Sequence, residues 1–219
     1  MSIKIIATGS ALPEKALSNA ELAEMVETND EWIRSRTGIS SRHVCTDETI
    51  SDLAASAAAK ALAKSGLDAG EIDLIICSTI SGDYTTPSLS CIVGLRLGAK
   101  CPALDLNAAC AGFTYALDVA SSYIETGRAK NVLIVSAEMM SKHIDWTDRN
   151  TCVLFGDGAG AVIVTKGNAL KYMHILAEPN ISFLNLEGKT GNSPFYQHNV
   201  EEGFLKMDGQ EVFKFAVTM

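Results

Sequence analysis

The sequence predicts an α/β fold built on a mainly parallel sheet. Three observations carry that expectation. Short apolar, β-branched runs alternate with helical patterns from the first residues to about residue 165, which is the signature of parallel strands joined by right-handed crossovers. The run LIICSTI at 74–80 is apolar at successive positions rather than alternating, as expected of a strand buried on both faces. The segment 111–126 (AGFTYALDVASSYIET) is apolar on several sides as a helix, so it needs cover beyond a single sheet.

Taken in order, residues 3–8 (IKIIAT) read as an opening strand. Residues 18–26 read as a helix with a capping box, Ser18 facing Glu21; Thr28 with Glu31 repeats the signature before a second helix that Gly38 ends. Residues 51–65 form a long alanine-rich helix stopped by Gly66, residues 73–80 a strand, and Pro87 starts a helix that ends at Gly98. Residues 103–107 (ALDLN) read as a short buried strand, 111–126 as the helix closed by Gly127, 132–136 (VLIVS) and 159–165 (AGAVIVT) as two further strands. The glycines of GDGAG at 156–160 lack the spacing and the lysine of a phosphate loop and read as a tight turn. After a polar break at Gly167 and Asn168, residues 170–176 (LKYMHIL) read as a new strand, 181–203 as a long loop, and 210–219 as an apolar helix that the last residue interrupts.

Composition narrows the function. The 219 residues are 47% hydrophobic and 20% charged, the balance of a soluble globular protein with a sizeable core. A net charge of −8 argues against nucleic-acid affinity, and no apolar run is long enough to span a membrane. The N-terminus patterns as a strand rather than a signal peptide. Six cysteines, Cys45, Cys77, Cys91, Cys101, Cys110 and Cys152, form no C-x-x-C pair and no zinc-like spacing with histidine. Their positions suit reduced thiols of a cytoplasmic protein, five of them inert small hydrophobes in packing.

Cys110 stands apart. Ala108, Ala109 and Cys110 turn the corner between the strand at 103–107 and the helix that follows. A sulfur there faces helix amides without partners, whose partial positive charge favours a thiolate. Cys110 is therefore a candidate covalent nucleophile.

Four ordered segments, DEWIRSRTGISSRH (30–43), LNAACAGF (106–113), DRNTCVLFGDGAGA (148–161) and KMDGQEVFKFAV (206–217), closely resemble β-ketoacyl-acyl-carrier-protein synthase III, the initiating condensing enzyme of bacterial fatty-acid synthesis, in the thiolase-like superfamily. The resemblance implies two similar halves, each with a five-stranded sheet, around the nucleophile helix. Residues 1–168 would be the complete N-terminal βαβαβαββ half and 169–219 the beginning of the second. It implies acyl transfer from coenzyme A to Cys110, then decarboxylation of malonyl-acyl-carrier protein and attack of its carbanion on the thioester. By the same resemblance Trp32 and Arg149 flank the adenine of coenzyme A, Thr28 bonds its edge and Arg36 faces phosphate. Leu205, Met207, Gly209 and Phe213 line the pantetheine tunnel, Lys214 faces the acidic carrier protein, and Thr86 and Phe155 border the acyl pocket. Coenzyme A thioesters are then substrates, with no resident cofactor or metal, and a homodimer forms through residues 83–97 and the sheet beside Cys110.

The family's decarboxylating histidine and asparagine fall beyond residue 219. His43, His143, His174 and His198 lie outside the matching motif, and His143 reads as a surface residue. By the same resemblance the chain by itself is expected not to condense, and acyl transfer to Cys110 alone stays open, weakened without the family's second oxyanion donor. Two other readings stay open on the residues: a non-catalytic thioester- or partner-binding fragment, and a related acyl transferase that does not extend chains.

Overall fold

The computed structural model describes residues 3–178, 180–188, 194–195 and 203–218. The chain folds into two compact units, each discontinuous in sequence: Met1–Lys15, His43–Met139 and Asp157–Leu176 form the first; Ala16–Arg42, Met140–Gly156 and Ala177–Met219 form the second. Along the chain run β1 (Ile3–Ala11), β2 (Ala16–Ser18), α1 (Asn19–Leu22), α2 (Asp30–Thr37), β3 (Ser41–His43), α3 (Ile50–Ser65), β4 (Leu74–Ser78), α4 (Leu89–Leu97), β5 (Ala103–Leu106), α5 (Gly112–Glu125), β6 (Asn131–Met139), β7 (Asp157–Lys166), β8 (Leu184–Asn185), β9 (Lys206–Met207) and α6 (Gly209–Thr218).

The first unit holds a five-stranded sheet in the order β1-β7-β6-β4-β5. β4 pairs in parallel with β5 and β6, while β7 runs antiparallel to both β6 and β1. Four strands therefore share one direction and β7 alone opposes them, the predicted βαβαβαββ order. Every residue of β4 is buried, because each face of the sheet carries its own helical layer. Ile75, Cys77, Leu133, Val135 and Ile163 pack with α3 and α4 on one face. Leu74, Ile76, Val132, Ile134 and Val164 pack with Ala116, Ala120 and Ile124 of α5 on the other. A fully buried Leu, Ile or Val contributes about 1.5–3 kcal/mol, so this alternation stabilises the unit most.

Local chemistry sets the helix ends. α3 opens on a capping box in which Thr49 and Asp52 exchange hydrogen bonds, and Asp83 accepts from the Ile50 and Ser51 amides at 3.2 and 2.9 Å. Its alanine face answers a close approach: a Cβ on Gly9 of β1 would lie 2.1 Å from the Ala57 carbonyl oxygen. Gly38, Gly66, Gly98 and Gly127 end their helices at φ of 73–74°, a left-handed conformation that glycine adopts without penalty.

In the second unit β2 and β3 form a two-stranded ribbon, as do β8 and β9. Arg42, only 5% exposed, ties its parts together. Its guanidinium donates to the Leu17 carbonyl at 3.2 Å, the Val153 carbonyl at 3.3 Å and Asn19 Oδ1 at 2.7 Å. Asn19 in turn donates to Asp30 Oδ1 and the Ile39 carbonyl, both at 2.8 Å. Burial lowers the pKa of Arg42, opposed by the neighbouring Cys152.

Several sequence expectations need correction. The helix expected at 18–26 is only four residues long, although its Ser18–Glu21 capping box is present; beyond it the bonds shorten into turns. Asn29, not Thr28, caps α2, its side chain accepting from the Trp32 amide at 2.8 Å. Pro87 precedes the α4 cap, which is Ser88. The GDGAG segment is no turn: from Asp157 onward it is strand β7, with Gly158 opposite Glu138 and Gly160 opposite Ser136. Residues 170–176 form no strand, and the Ala169 and Leu170 amides merely share the Ile3 carbonyl. The expected loop at 181–203 contains β8, while its residues 189–193 and 196–202, including His198, lie outside the described residues, as does Met219. Cys91 is exposed rather than packed. His143 is half-buried, its backbone carbonyl accepting from Leu205 N at 2.8 Å.

Candidate active site

Strand β5 delivers the chain to Asn107 and Ala108, a 3₁₀ turn spans Ala109–Ala111, and α5 begins at Gly112. Cys110 lies in the middle of that turn and is exposed. Ala109, just before it, has φ of +44° and is the one non-glycine residue with positive φ among the described residues. Such left-handed backbone costs about 1–3 kcal/mol outside glycine and gathers at functional sites. No side chain caps the 3₁₀ turn or α5, so no carboxylate neutralises the positive end of the helix beside the sulfur.

The remaining cysteines differ in their surroundings. Burial pushes the Cys45 thiol up to about 12, helped by the charge of Asp157, which also bonds the thiol. Burial likewise raises Cys77, Cys101 and Cys152, assisted by Asp105, Asp73 and Asp148 respectively. These thiols are protonated at neutral pH and inert. Cys91 is exposed as Cys110 is, and it too sits in the first turn of a helix. There the amides are already taken. Ser88 Oγ accepts from Cys91 N at 3.3 Å, and the Asp105 carboxylate accepts from Leu89 and Ser90 N at 2.7 and 2.8 Å. A carboxylate at a helix N-terminus neutralises the positive end, so among the exposed thiols only Cys110 meets an uncapped one.

The second unit contains a cleft of about 710 Å³. Trp32 and Arg36 of α2, Met207 of β9 and Gly209 of α6 line it together with Asn150 and Lys206. Arg36 and Arg149 both lie against the Trp32 ring, their guanidinium carbons 4.6 and 4.5 Å from its centroid. Arg149 also donates to the Glu27 carbonyl at 3.2 Å. The α6 end of the cleft is set by Asp208, whose amide donates to the Phe183 carbonyl at 2.8 Å and whose carboxylate accepts from Gln210 and Glu211 N.

Five residues expected at one site thus converge: Trp32, Arg36, Met207 and Gly209 on the cleft wall and Arg149 on the tryptophan. Thr28 and Phe213 are not on that wall. The Thr28 hydroxyl is buried without a hydrogen-bond partner, and Phe213 is 67% exposed. Leu205 is buried, and Lys214 pairs with Glu211 on its own helix. Asn150, Ser182, Lys206 and Gln210 also line the cleft and were not anticipated. Lys206 and Gln210 lie inside the KMDGQE motif, whereas Ser182 carries no local signal. Among the described residues no group of three or more His, Cys, Asp or Glu could hold a metal ion, and no helix is long and apolar enough to cross a membrane.

Residues 104–178 match the family model for 3-oxoacyl-[acyl-carrier-protein] synthase III. β-Ketoacyl-[acyl-carrier-protein] synthase III of Neisseria meningitidis serogroup C is 47% identical over 99% of this chain and 68% of its own length. The Clostridium perfringens (strain SM101) protein of the same name is 48% identical over 97% of this chain and 68% of its length. Among solved structures, the Aquifex aeolicus 3-oxoacyl-[acyl-carrier-protein] synthase III superposes with a TM-score of 0.88 at 43% identity, covering 97% of this chain and 67% of that one. The Thermus thermophilus enzyme gives 0.86 at 39%, covering 98% and 68%. The sheet, its two helical layers and the motifs on them therefore make this chain a member of the β-ketoacyl-acyl-carrier-protein synthase III family of condensing enzymes.

Proposed function

We propose that Cys110 is the acyl-accepting nucleophile and that the Trp32 cleft receives coenzyme A. The Cys110 thiolate attacks the carbonyl carbon of an acyl-coenzyme A. A carbon–sulfur bond to Cys110 forms, the bond to the coenzyme sulfur breaks, and coenzyme A leaves as a thiolate that takes up a proton. The Cys110 amide, in the turn ahead of α5, serves as a donor to the developing oxyanion. In the condensing step, malonyl-acyl-carrier protein loses carbon dioxide and its carbanion displaces Cys110 from the thioester, giving the β-ketoacyl product. We assign no residue of this chain to the decarboxylation.

In this reading Trp32 and Arg149 sandwich adenine, Arg36 meets phosphate, Thr28 offers its unpartnered hydroxyl to the base edge, and Met207, Gly209 and Phe213 follow the pantetheine arm. Coenzyme A is a substrate and no resident cofactor takes part. Lys214 contributes to the docking of the acidic carrier protein. The reading extends to the division at 168/169 between thiolase-like halves, and to a cytoplasmic homodimer paired through residues 83–97 and β5. Exposed Tyr84 and Leu95 and the half-buried edge strand β5 support that pairing.

The observation that carries the proposal is the contrast between the two exposed cysteines: Asp105 occupies the helix end at Cys91, and nothing caps the one at Cys110. Incubating the chain with labelled acetyl-coenzyme A and mapping peptides by mass tests it. The acetyl group is expected on the Cys110 peptide and absent from the Cys91 peptide. Label on Cys91, or binding of acetyl-coenzyme A without any label on Cys110, overturns it.

A further inference from the structure

The start of α5 is seated on the sheet more closely than any side chain allows. A Cβ placed on Gly112 would lie 1.8 Å from Ser78 Oγ and 3.0 Å from Ser78 Cβ, with Leu106 Cδ2 at 4.0 Å. Gly112 has φ −54° and ψ −39°, ordinary helical values open to every residue. Its backbone does not require glycine, so the space does. Helix propensity by itself favours alanine over glycine, and the two effects therefore predict opposite signs for Gly112→Ala.

Ser78 cannot easily yield. It is 4% exposed at the end of β4, in register with Leu106 of β5 and Ser136 of β6. The chain just beyond it is pinned: Thr79 N donates to the Leu106 carbonyl at 3.2 Å, Ile80 N to Glu138 Oε1 at 3.0 Å and Ser81 Oγ to Glu138 Oε2 at 2.5 Å. Rotating the Ser78 hydroxyl away still leaves its Cβ at 3.0 Å, inside the 3.4 Å at which ordinary contact begins. On the other side, Gly112 is tied to the cysteine turn. Its N–H donates to the Ala109 carbonyl and Ala111 N donates to the Ala108 carbonyl at 3.0 Å, with Ala109 held left-handed between them. Lifting Gly112 off Ser78 lifts Cys110 with it.

We infer that Gly112 and Ser78 form a positioning pair: their close contact fixes the height of the 3₁₀ turn above the sheet, and through it the placement of the Cys110 sulfur relative to the first amides of α5. The inference rests on the reading of Cys110 as the acyl acceptor and adds to it the residues that hold the sulfur in place. Misplacing a reacting atom by an ångström can cost about a hundredfold in rate.

A double-mutant cycle tests the pair on the 219-residue chain. Wild type, Gly112→Ala, Ser78→Gly and the double variant are compared in Cys110 acetylation by acetyl-coenzyme A, in Cys110 alkylation by iodoacetamide across pH, and in thermal midpoint. Gly112→Ala is expected to slow acetylation at saturating acetyl-coenzyme A by about tenfold or more, with the half-saturating concentration within about twofold, since the coenzyme A cleft is built from other residues. In the Ser78→Gly background the same substitution is expected to cost less than about threefold, because the space has been opened. Alkylation of Cys110 should show the same coupling. If wild type alkylates at Cys110 but never acetylates there, the acyl-transfer reading fails, and the alkylation cycle alone decides the positioning pair. Equal cost in both backgrounds overturns the inference, as does coupling in thermal midpoint without coupling in thiol reactivity. Should Gly112→Ala fail to fold, the double variant must fold and react like Ser78→Gly; if it does not, the inference is wrong.

Discussion

Replacing Trp32 by alanine isolates the part of the proposed site that recognises the nucleotide. The ring carries two guanidiniums, Arg36 at 4.6 Å and Arg149 at 4.5 Å, each worth about 0.5–1 kcal/mol at an exposed site. A base stacked on an aromatic side chain gains about 1–3 kcal/mol. An incoming adenine must take the place of a guanidinium on the ring, so its net gain from Trp32 is the stacking less one such contact, about 1.3 kcal/mol at the middle of the two ranges. Losing it should weaken coenzyme A binding by roughly eightfold, at 1.4 kcal/mol per tenfold. The fold should tolerate the change, because the neighbouring Ile33, fully buried, anchors α2 to the second unit. Isothermal titration with coenzyme A and with pantetheine measures this. Trp32→Ala should lose affinity for coenzyme A and keep its affinity for pantetheine, which has no adenine. Unchanged binding of coenzyme A, or an equal loss for both ligands, would exclude Trp32 as the adenine platform.

Arg42→Met strands three acceptors, the Leu17 and Val153 carbonyls and Asn19 Oδ1, and should cost about 3–5 kcal/mol in urea denaturation, with Arg42→Lys recovering part of it; a loss below about 1 kcal/mol would contradict the clamp. Asp52 and Glu48 are both held down to about 2, Asp52 chiefly by the hydroxyl and amide of Thr49, with burial opposing and Arg96 adding to the effect, and Glu48 by the amides around it, the Glu14 amide foremost. Their folded values lie below the unfolded ones, so their contribution is present above about pH 4 and lost as pH falls toward 2. Asp52→Asn should therefore flatten the acid limb of a circular-dichroism titration, and an unchanged limb would count against the assignment. At pH 8, iodoacetamide should label Cys110 and Cys91 in the folded chain and spare Cys45, whose thiol stays protonated until about 12. That raised value also means stability present below the unfolded thiol pKa, about 9, and lost as pH climbs through 9 to 12. Early labelling of Cys45 by peptide mass mapping would contradict its burial beside Asp157.

What the sequence made legible was local. The glycine stops at 38, 66, 98 and 127 are positions where the backbone itself demands φ near +73°, and the unbroken apolar run of β4 carries its two-sided burial within itself. The errors fall where a partner far along the chain decides. GDGAG has turn composition, yet β6 lies alongside it and recruits it as a strand. Residues 170–176 are apolar enough for a strand, but the bonds to β1 end where the Ala169 and Leu170 amides share the Ile3 carbonyl. Thr28 and Asn29 are both competent caps one residue apart, and the 2.8 Å bond from Trp32 N settles on Asn29. The cleft draws on α2, on residues 150–154 and on residues 206–210, so its polar wall could be approached only through motifs. The need for glycine at 112 has no local sign, because its reason, Ser78, lies on a different element.

Following coenzyme A release as the chain is mixed with acetyl-coenzyme A tests Cys110 as the acyl acceptor. One equivalent of coenzyme A per chain should be freed in a single burst, matched by a hydroxylamine-labile acetyl on Cys110. The burst should vanish in Cys110→Ala and persist in Cys91→Ala. A burst of the same size from Cys110→Ala would rule out Cys110 as the acceptor.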